Sequence, residues 1–424
     1  MKVRIKWVVG ATLLTLLSVL IALNLTSGET NVEHDIPHLY GVSDPQFRRS
    51  MTAILGTPMI EGNKVSLLSN GDQIFPAMLD AIRQATRTIT FETYIYWSGT
   101  VGRSFSEALS ERARAGVKVH VLLDWVGSGK MDGRLLAEMK EAGVEVERYH
   151  PLRWYNAIRL NNRTHRKLLV VDGRVGFTGG VGIADLWSGN AQDPDHWRDA
   201  HYRLEGPAVA QMQGVFMDNW RKTRSLVLHG DGYFPHLENA GSQVAQVFKS
   251  SATDGVESVR LMYLLSIAAA EKSIQMANAY FVPDDLSVRM LVEARKRGVH
   301  VEIIVPGAHT DSQIVGAASR DHWATLLDAG VEIYEFKPTM MHCKIMVVDE
   351  LFTTVGSTNF DNRSFHLNDE ANLDVFDAGF ARENLRHMDE DKARSRLVTS
   401  ASWAGRSWAQ RLSERVAGVF DLQL

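Results

Sequence analysis

The sequence predicts an α/β protein built from two copies of one unit. Three observations lead there. A pattern of histidine, lysine and aspartate occurs twice, 177 residues apart. Three further blocks recur around it in the same order. Each copy also alternates Val/Ile-rich strands with helices, which implies a largely parallel sheet with helices packed on it.

The paired pattern is His165-Arg-Lys167-Leu-Leu-Val-Val-Asp172 and His342-Cys-Lys344-Ile-Met-Val-Val-Asp349. Gly179 and Gly356 follow at the same spacing. Of the 15 histidines, only these two begin a His-x-Lys triplet. Ala85–Trp97 resembles Ala270–Val282, Ala115–Asp124 matches Arg297–Pro306, and Ala142–Pro151 matches Ala329–Pro338. Blocks conserved in order at nearly constant offset signal duplication with small insertions.

Each copy reads as strand, helix (Gly102–Ala115; Leu286–Arg297), strand, helix (Gly133–Ala142; Arg320–Ala329), strand. Glycine closes each helix, because it takes the left-handed conformation freely. The motif segment is itself a strand, and alternation puts His and Lys on one face. Cys343 then points away from them, towards the core.

The N-terminus has its own signal. Lys2, Arg4 and Lys6 precede an uncharged apolar run, Trp7–Leu25, of 19 residues. That length exceeds a secretory h-region and fits an uncleaved spanning helix, with a cleaved signal as the alternative. Positive charge on its N-terminal side places the N-terminus in the cytoplasm and the rest outside. The expected division is an anchor at 1–27, a polar tether at 28–50, a first unit at 51–235 and a second at 236–424. The stretch Arg153–Arg163 is basic and aromatic, and Trp403–Leu422 has apolar residues at helical spacing with arginines interleaved.

Composition narrows the partners. The formal net charge is −4 and there is one cysteine, so no internal disulfide and no cysteine-based metal site exist. A chain without a basic excess is a poor candidate for nucleic acid, whose backbone demands cations.

Two histidine–lysine pairs in one chain suit phosphoryl chemistry. A neutral imidazole can attack phosphorus, and a protonated one can deliver a proton to a departing alkoxide. Two lysines neutralise the non-bridging oxygens in the transition state. No metal and no cofactor is called for. Beyond Gly356 the second copy offers Ser357 and Asn359 as phosphate-binding groups, where the first has Gly180 and Gly182. Glu370 and Asp199 each precede a strand; Glu370 is expected to orient His342, and Asp199 to orient His165, through the second ring nitrogen.

The doubled pattern resembles the phospholipase D superfamily. The tail Gly356–Asn372 and the segment Trp197–Pro207 are similar to the bacterial cardiolipin synthase branch. The resemblance spans roughly residues 50–400. It implies an α/β fold of two duplicated phospholipase D-like α-β-α units about a pseudo-two-fold axis, here with an N-terminal transmembrane helix. It also implies a bacterial cell-membrane location and a phosphatidyltransferase that makes cardiolipin from phosphatidylglycerol through a phosphohistidine. The catalytic set it implies is His165, Lys167, Asp172, His342, Lys344 and Asp349. His165 would be the nucleophile and His342 the acid/base, although near-symmetry leaves the reverse assignment open. The strand-end position of Asp172 and Asp349 also fits a structural role. The partners expected are a phospholipid and the membrane, with phosphatidylethanolamine left open as a donor. A hydrolase of the same scaffold, lipid-cleaving or nuclease, is the alternative; acidic charge and an anchor speak against the nuclease.

Overall fold

The computed structural model of the chain describes residues 2–25, 32–151, 162–251, 257–399, 402–403 and 405–406. Most of the basic aromatic stretch 153–163 and of the C-terminal amphipathic stretch lies outside them. The first half contributes β1 (Ile60–Ser69), β2 (Thr88–Thr93), β3 (Lys118–Asp124), β4 (Glu145–Tyr149), β5 (Lys167–Val171), β6 (Val175–Gly179) and β7 (Ala200–Glu205). The second contributes β8 (Gln243–Ser250), β9 (Ser273–Asn278), β10 (Phe281–Val282), β11 (His300–Pro306), β12 (Glu332–Phe336), β13 (Lys344–Val348), β14 (Phe352–Gly356), β15 (Phe360–Asp361), β16 (Glu370–Phe376) and β17 (Ser395–Leu397).

From the seam outwards the first half runs β1-β7-β6-β5-β2-β3-β4 and the second β8-β16-β14-β13-β9-β11-β12, with β17 at the far edge. The orders are the same. β1 pairs with β8 antiparallel, so one 15-stranded sheet passes through both units. Duplication therefore appears in space as a pseudo-two-fold relation about the β1–β8 seam.

The sheet is mixed, which corrects the expectation of a largely parallel one. β2-β3-β4 and β9-β11-β12 are parallel, but β5-β6-β7 and β13-β14-β16 are antiparallel. The reason is local. Asp172-Gly173 and Asp349-Glu350 all have positive φ and make two-residue turns closed by Arg174 N–H to Val171 O and Leu351 N–H to Val348 O. Such turns can join only antiparallel strands.

Helices cover both faces. Val209–Arg224 and Ala378–Ala393 share an inner core in which Phe216, Trp220 and Phe380 meet Leu168, Val170, Ile345 and Val347. The alternate residues of the motif strands, Leu169/Val171 and Met346/Val348, enter two outer cores. Cys343, between His342 and Lys344 in sequence, lies fully buried in the inner core. The expected helix Arg320–Ala329 is shorter, Trp323–Asp328, and follows another at Gln313–Ser319.

The expected tether at 28–50 is also corrected. Asp44 caps the helix Pro45–Leu55, whose Phe47, Met51 and Leu55 are buried in the second unit's core, with Phe47 edge-on to Phe352 at 5.2 Å. A 3.6-residue apolar spacing behind an Asp-Pro start explains why this segment folds. The N-terminal helix Lys2–Leu25 leaves its apolar side chains exposed, Trp7 77% and Leu14 66%. Its described side chains run from residue 5 to 21, and among the described residues no helix is long and apolar enough to cross a membrane.

Candidate active site

Each motif begins where the two halves touch. His165 N–H donates to Asp369 O at 2.9 Å, and Asp369 N–H donates to Arg163 O at 2.8 Å. In the other half, His342 N–H donates to Arg198 O at 2.7 Å, and Arg198 N–H to Met340 O at 2.9 Å. The run into each motif strand thus forms a short parallel bridge with the run into the other half's return strand.

That exchange sets the carboxylates. His165 Nδ1 meets Glu370 Oε1 at 3.0 Å, and His342 Nδ1 meets Asp199 Oδ2 at 2.9 Å. The pairing expected within each half is therefore wrong: the partners cross the seam. Each carboxylate stands one residue beyond a bridge to the other unit, which brings it beside that unit's histidine.

Lys167 Nζ donates to His165 O at 2.7 Å, and Lys344 Nζ to His342 O at 2.6 Å. Both lysines are buried. A cavity of about 570 Å³ is lined by His165, Lys167 and His342 with Tyr94, Arg163, Trp187, Trp197, Asn359, Arg363 and Asn368 among others. Lys344 is buried and is not part of that lining.

Three expected site residues sit elsewhere. Asp172 accepts backbone N–H bonds from Thr86, Arg87 and Thr88 at 2.9, 2.7 and 2.8 Å. Asp349 does the same with Glu271, Lys272 and Ser273 at 2.9, 2.7 and 2.9 Å. Each aspartate is at the far end of its motif strand and ties the turn to the start of β2 or β9, so neither lines the cavity. Ser357 is fully buried and donates to Glu370 Oε2 at 2.5 Å, holding the carboxylate rather than facing the cavity. Asn359 does line it, and its Oδ1 has no hydrogen-bond partner among the described residues.

Residues 78–188 and 263–392 match the family model described as cardiolipin synthase, PLD-like domain. The chain belongs to this family. Cardiolipin synthase 1 of Bacillus cereus is 35% identical over 370 residues, which is 85% of this chain and 72% of that protein. Probable cardiolipin synthase YwiE of Bacillus subtilis is 33% identical over 394 residues, 92% of this chain and 78% of the relative. Among solved structures, a phosphatidylserine synthase of Haemophilus influenzae superposes with a TM-score of 0.65 at 12% identity, covering 89% of this chain and all of that one. At that identity the likeness is one of fold.

In this member of the family, burial dominates the electrostatics. It pushes His165 down to about 4, helped by the charge of Lys167 and opposed by Glu370. His342 is lowered by burial and by Lys344 against the pull of Asp199. Both imidazoles are thus held neutral near pH 7. Burial lowers Lys167 to about 7 and lowers Lys344 as well. Burial would raise Glu370, but His165 and Lys167 outweigh it; Asp199 is likewise held down by His342 and Lys344.

The sequence alone pointed to neither Trp187 nor Tyr94. Trp187 Nε1 donates to Asp199 Oδ2 at 2.8 Å, and its ring is edge-on to His342 at 5.3 Å; Trp197 lies 5.6 Å from the same imidazole. Tyr94 is edge-on to His165 at 5.2 Å. Their roles come from approach in space, and no spacing signal marks them.

Proposed function

We propose that this chain is a membrane-bound phosphatidyltransferase that converts two phosphatidylglycerol molecules into cardiolipin and glycerol. The observation that carries this is the convergence of His165, Lys167 and His342 on one cavity, each histidine held at Nδ1 by a carboxylate. Relatives bearing the name cardiolipin synthase support the choice of lipid.

His165 Nε2 attacks the donor phosphorus; a P–N bond forms and the P–O bond to glycerol breaks. His342 gives its proton to the departing glycerol oxygen. It then takes the proton of the acceptor's hydroxyl, whose oxygen attacks phosphorus as the P–N bond breaks. Glu370 and Asp199 fix the tautomers, so Nε2 is the reacting nitrogen on each side. Lys167 and Lys344 stabilise the charge gathering on the non-bridging oxygens, with Asn359 as a further contact. A bound phosphodiester would raise the pKa of the acid histidine and of both lysines towards the charged forms. Asp172 and Asp349 serve as scaffold in this reading. No metal or cofactor takes part.

The uncharged apolar run Trp7–Leu25 of the sequence is the proposed single-pass anchor, with the N-terminus cytoplasmic and the catalytic units outside. The test is incubation of the purified full chain with phosphatidylglycerol vesicles and analysis of the lipids. Cardiolipin with free glycerol is expected. Phosphatidic acid as the sole product would replace the transferase with a hydrolase, and no lipid turnover would end the lipid reading.

A further inference from the structure

We infer that the end of the sheet holding the cavity docks on the bilayer surface, with Val126 and Ile314, one from each half, entering the lipid. The inference rests on the proposed anchor and lipid substrate, and names the surface through which that substrate arrives.

The segment that follows the anchor sets the direction. Val32 N–H donates to Glu257 Oε2 at 3.2 Å, and Arg260 Nη1 donates to Val32 O at 3.0 Å. Arg260 is itself held between Glu257 at 3.0 Å and Asp284 at 2.7 Å. From there the chain follows the helix Ser258–Ala269. His38 Nδ1 meets Ala268 O at 2.8 Å, and Val42 N–H donates to Ala269 O at 3.1 Å.

That helix runs from the site end of the sheet to the far end. Glu257, just before it, has Oε1 3.2 Å from Nδ1 of His366, which ends the short helix capped by the lining residue Asp361. Beyond its last turn, the backbone of Glu271–Ser273 is tied to Asp349, at the far end of its motif strand. The chain therefore enters the folded units at the cavity's end. Leu25, the last residue of the anchor, stands seven positions before Val32, a reach of at most about 25 Å.

The substrate makes the same demand. A cavity of about 570 Å³ takes a drug-sized ligand. A phosphodiester with its glycerol fits there, but the acyl chains of two lipids do not. They stay in the bilayer, because each methylene drawn into water carries a hydrophobic cost. The cavity must then open where lipid is.

The residues beside the lining suit that contact. Trp97 Nε1 donates to Gly127 O at 2.9 Å, which joins the loop after β3 to the lining residues Trp97 and Lys130. In that loop Val126 is 44% exposed. In the other half Val315 lines the cavity, and Ile314 beside it is 60% exposed. Single exposed apolar side chains are ordinary; these two flank the site from opposite halves. Lys130 Nζ lies 3.9 Å from the centre of the Trp97 ring, and residues of these two types settle at headgroup level.

The test places an environment-sensitive fluorophore on the full chain in phosphatidylglycerol vesicles that contain spin-labelled lipid. Val126→Cys and Ile314→Cys carry it in turn, and Cys343 is too buried to compete for the label. Ile54→Cys is the control. It is equally exposed, at 42%, on the helix that packs on Phe352 beside the far-end turn. Blue-shifted, quenched emission at 126 and 314 but not at 54 is expected. No difference among the three, or stronger quenching at 54, in a chain that floats with the vesicles would overturn the docking surface. A chain that does not float would overturn the anchor, and the inference with it. As a second measurement, Val126→Glu combined with Ile314→Glu should lower turnover in vesicles by about tenfold or more, the scale of one apolar side chain withdrawn from lipid. Turnover of monomeric dihexanoyl phosphatidylglycerol should stay as in the unaltered chain. An equal fall on both substrates, or none on vesicles, would also overturn the docking surface.

Discussion

The two halves place a histidine against a carboxylate in the same way but surround it differently. On the His165 side, Glu370 is held by the Ser357 hydroxyl and, at 3.4 Å, by Asn368 Nδ2, and Tyr94 closes on the ring. On the His342 side, Asp199 is held by the Trp187 indole and by Ala200 N–H at 2.8 Å, and two tryptophans flank the ring. Gly180 occupies the position of Ser357, and a β-carbon there would lie 2.2 Å from Asp199 Oδ1. Gly182 occupies that of Asn359, where a β-carbon would meet Ile95 Cβ at 2.9 Å and the Trp187 ring at 3.1 Å. The glycines are therefore space made for an indole that does the serine's work. The sheet fixes where the carboxylate and imidazole meet; what orients them depends on local volume.

The sharpest challenge to this near-symmetry is removal of either histidine. His165→Ala and His342→Ala should each cost about 10⁴-fold or more in lipid turnover, since each performs a step the other cannot. Intact-mass spectrometry separates the roles. A phosphatidyl adduct in His342→Ala and none in His165→Ala is expected; the reverse pattern would exchange nucleophile and acid.

A second difference between the halves concerns acid. His201, at the position where the second half has Asn372, is fully buried with neither ring nitrogen hydrogen-bonded among the described residues, and burial lowers it to about 4. Its folded pKa lies below the unfolded 6.5, so the unfolded chain binds more protons between those values. Stability is complete above pH 6.5 and falls as pH drops towards 4, by on the order of 3 kcal/mol for such a histidine. Urea unfolding as a function of pH should show this slope, and His201→Asn should flatten part of it. An identical slope in the variant would mean that other groups set the acid response.

The crossed carboxylates come next. Glu370→Gln should lower turnover by about 10–100-fold, as loss of an orienting partner does. Despite lying in the second half, it should act on the step that His165 performs, slowing the release of the first glycerol in a rapid-quench experiment. If it slowed only the second step, the pairing across the seam would have no catalytic meaning.

The smallest effect expected is from Trp187→Phe. The ring against His342 stays, while one hydrogen bond to Asp199 is lost, for about a 3–10-fold fall in turnover. Gly180→Ser, which imports the other half's residue, should be worse than Trp187→Phe in both activity and melting temperature, because the β-carbon collides with Asp199. A neutral result there would show that Asp199 can move aside.

Much of the site was legible because it is written in short repeats. Lys167 and Lys344 begin strands, and His165 and His342 stand two residues before them, and the alternation and turn residues of these strands are local properties. The strand-end position of Asp172 and Asp349 was visible too, but it does not show that the strand beyond the turn runs antiparallel. The tether failed because the helix starting at Asp44-Pro45 is short and its apolar face is only three side chains wide.

The identity of each histidine's partner was of another kind. Duplication, strand order within a unit and the two His–Lys pairs follow from periodicity, propensity and spacing, which act over a few residues. Which half Glu370 and Asp199 serve depends on the bridges at Thr164 and Arg198, formed only when two units close about the β1–β8 seam. No local pattern encodes that closure. Hydrogen-bond geometry between segments far apart in the chain decides it, and the Trp187 indole and the recessed Ser357 take their positions from the same packing.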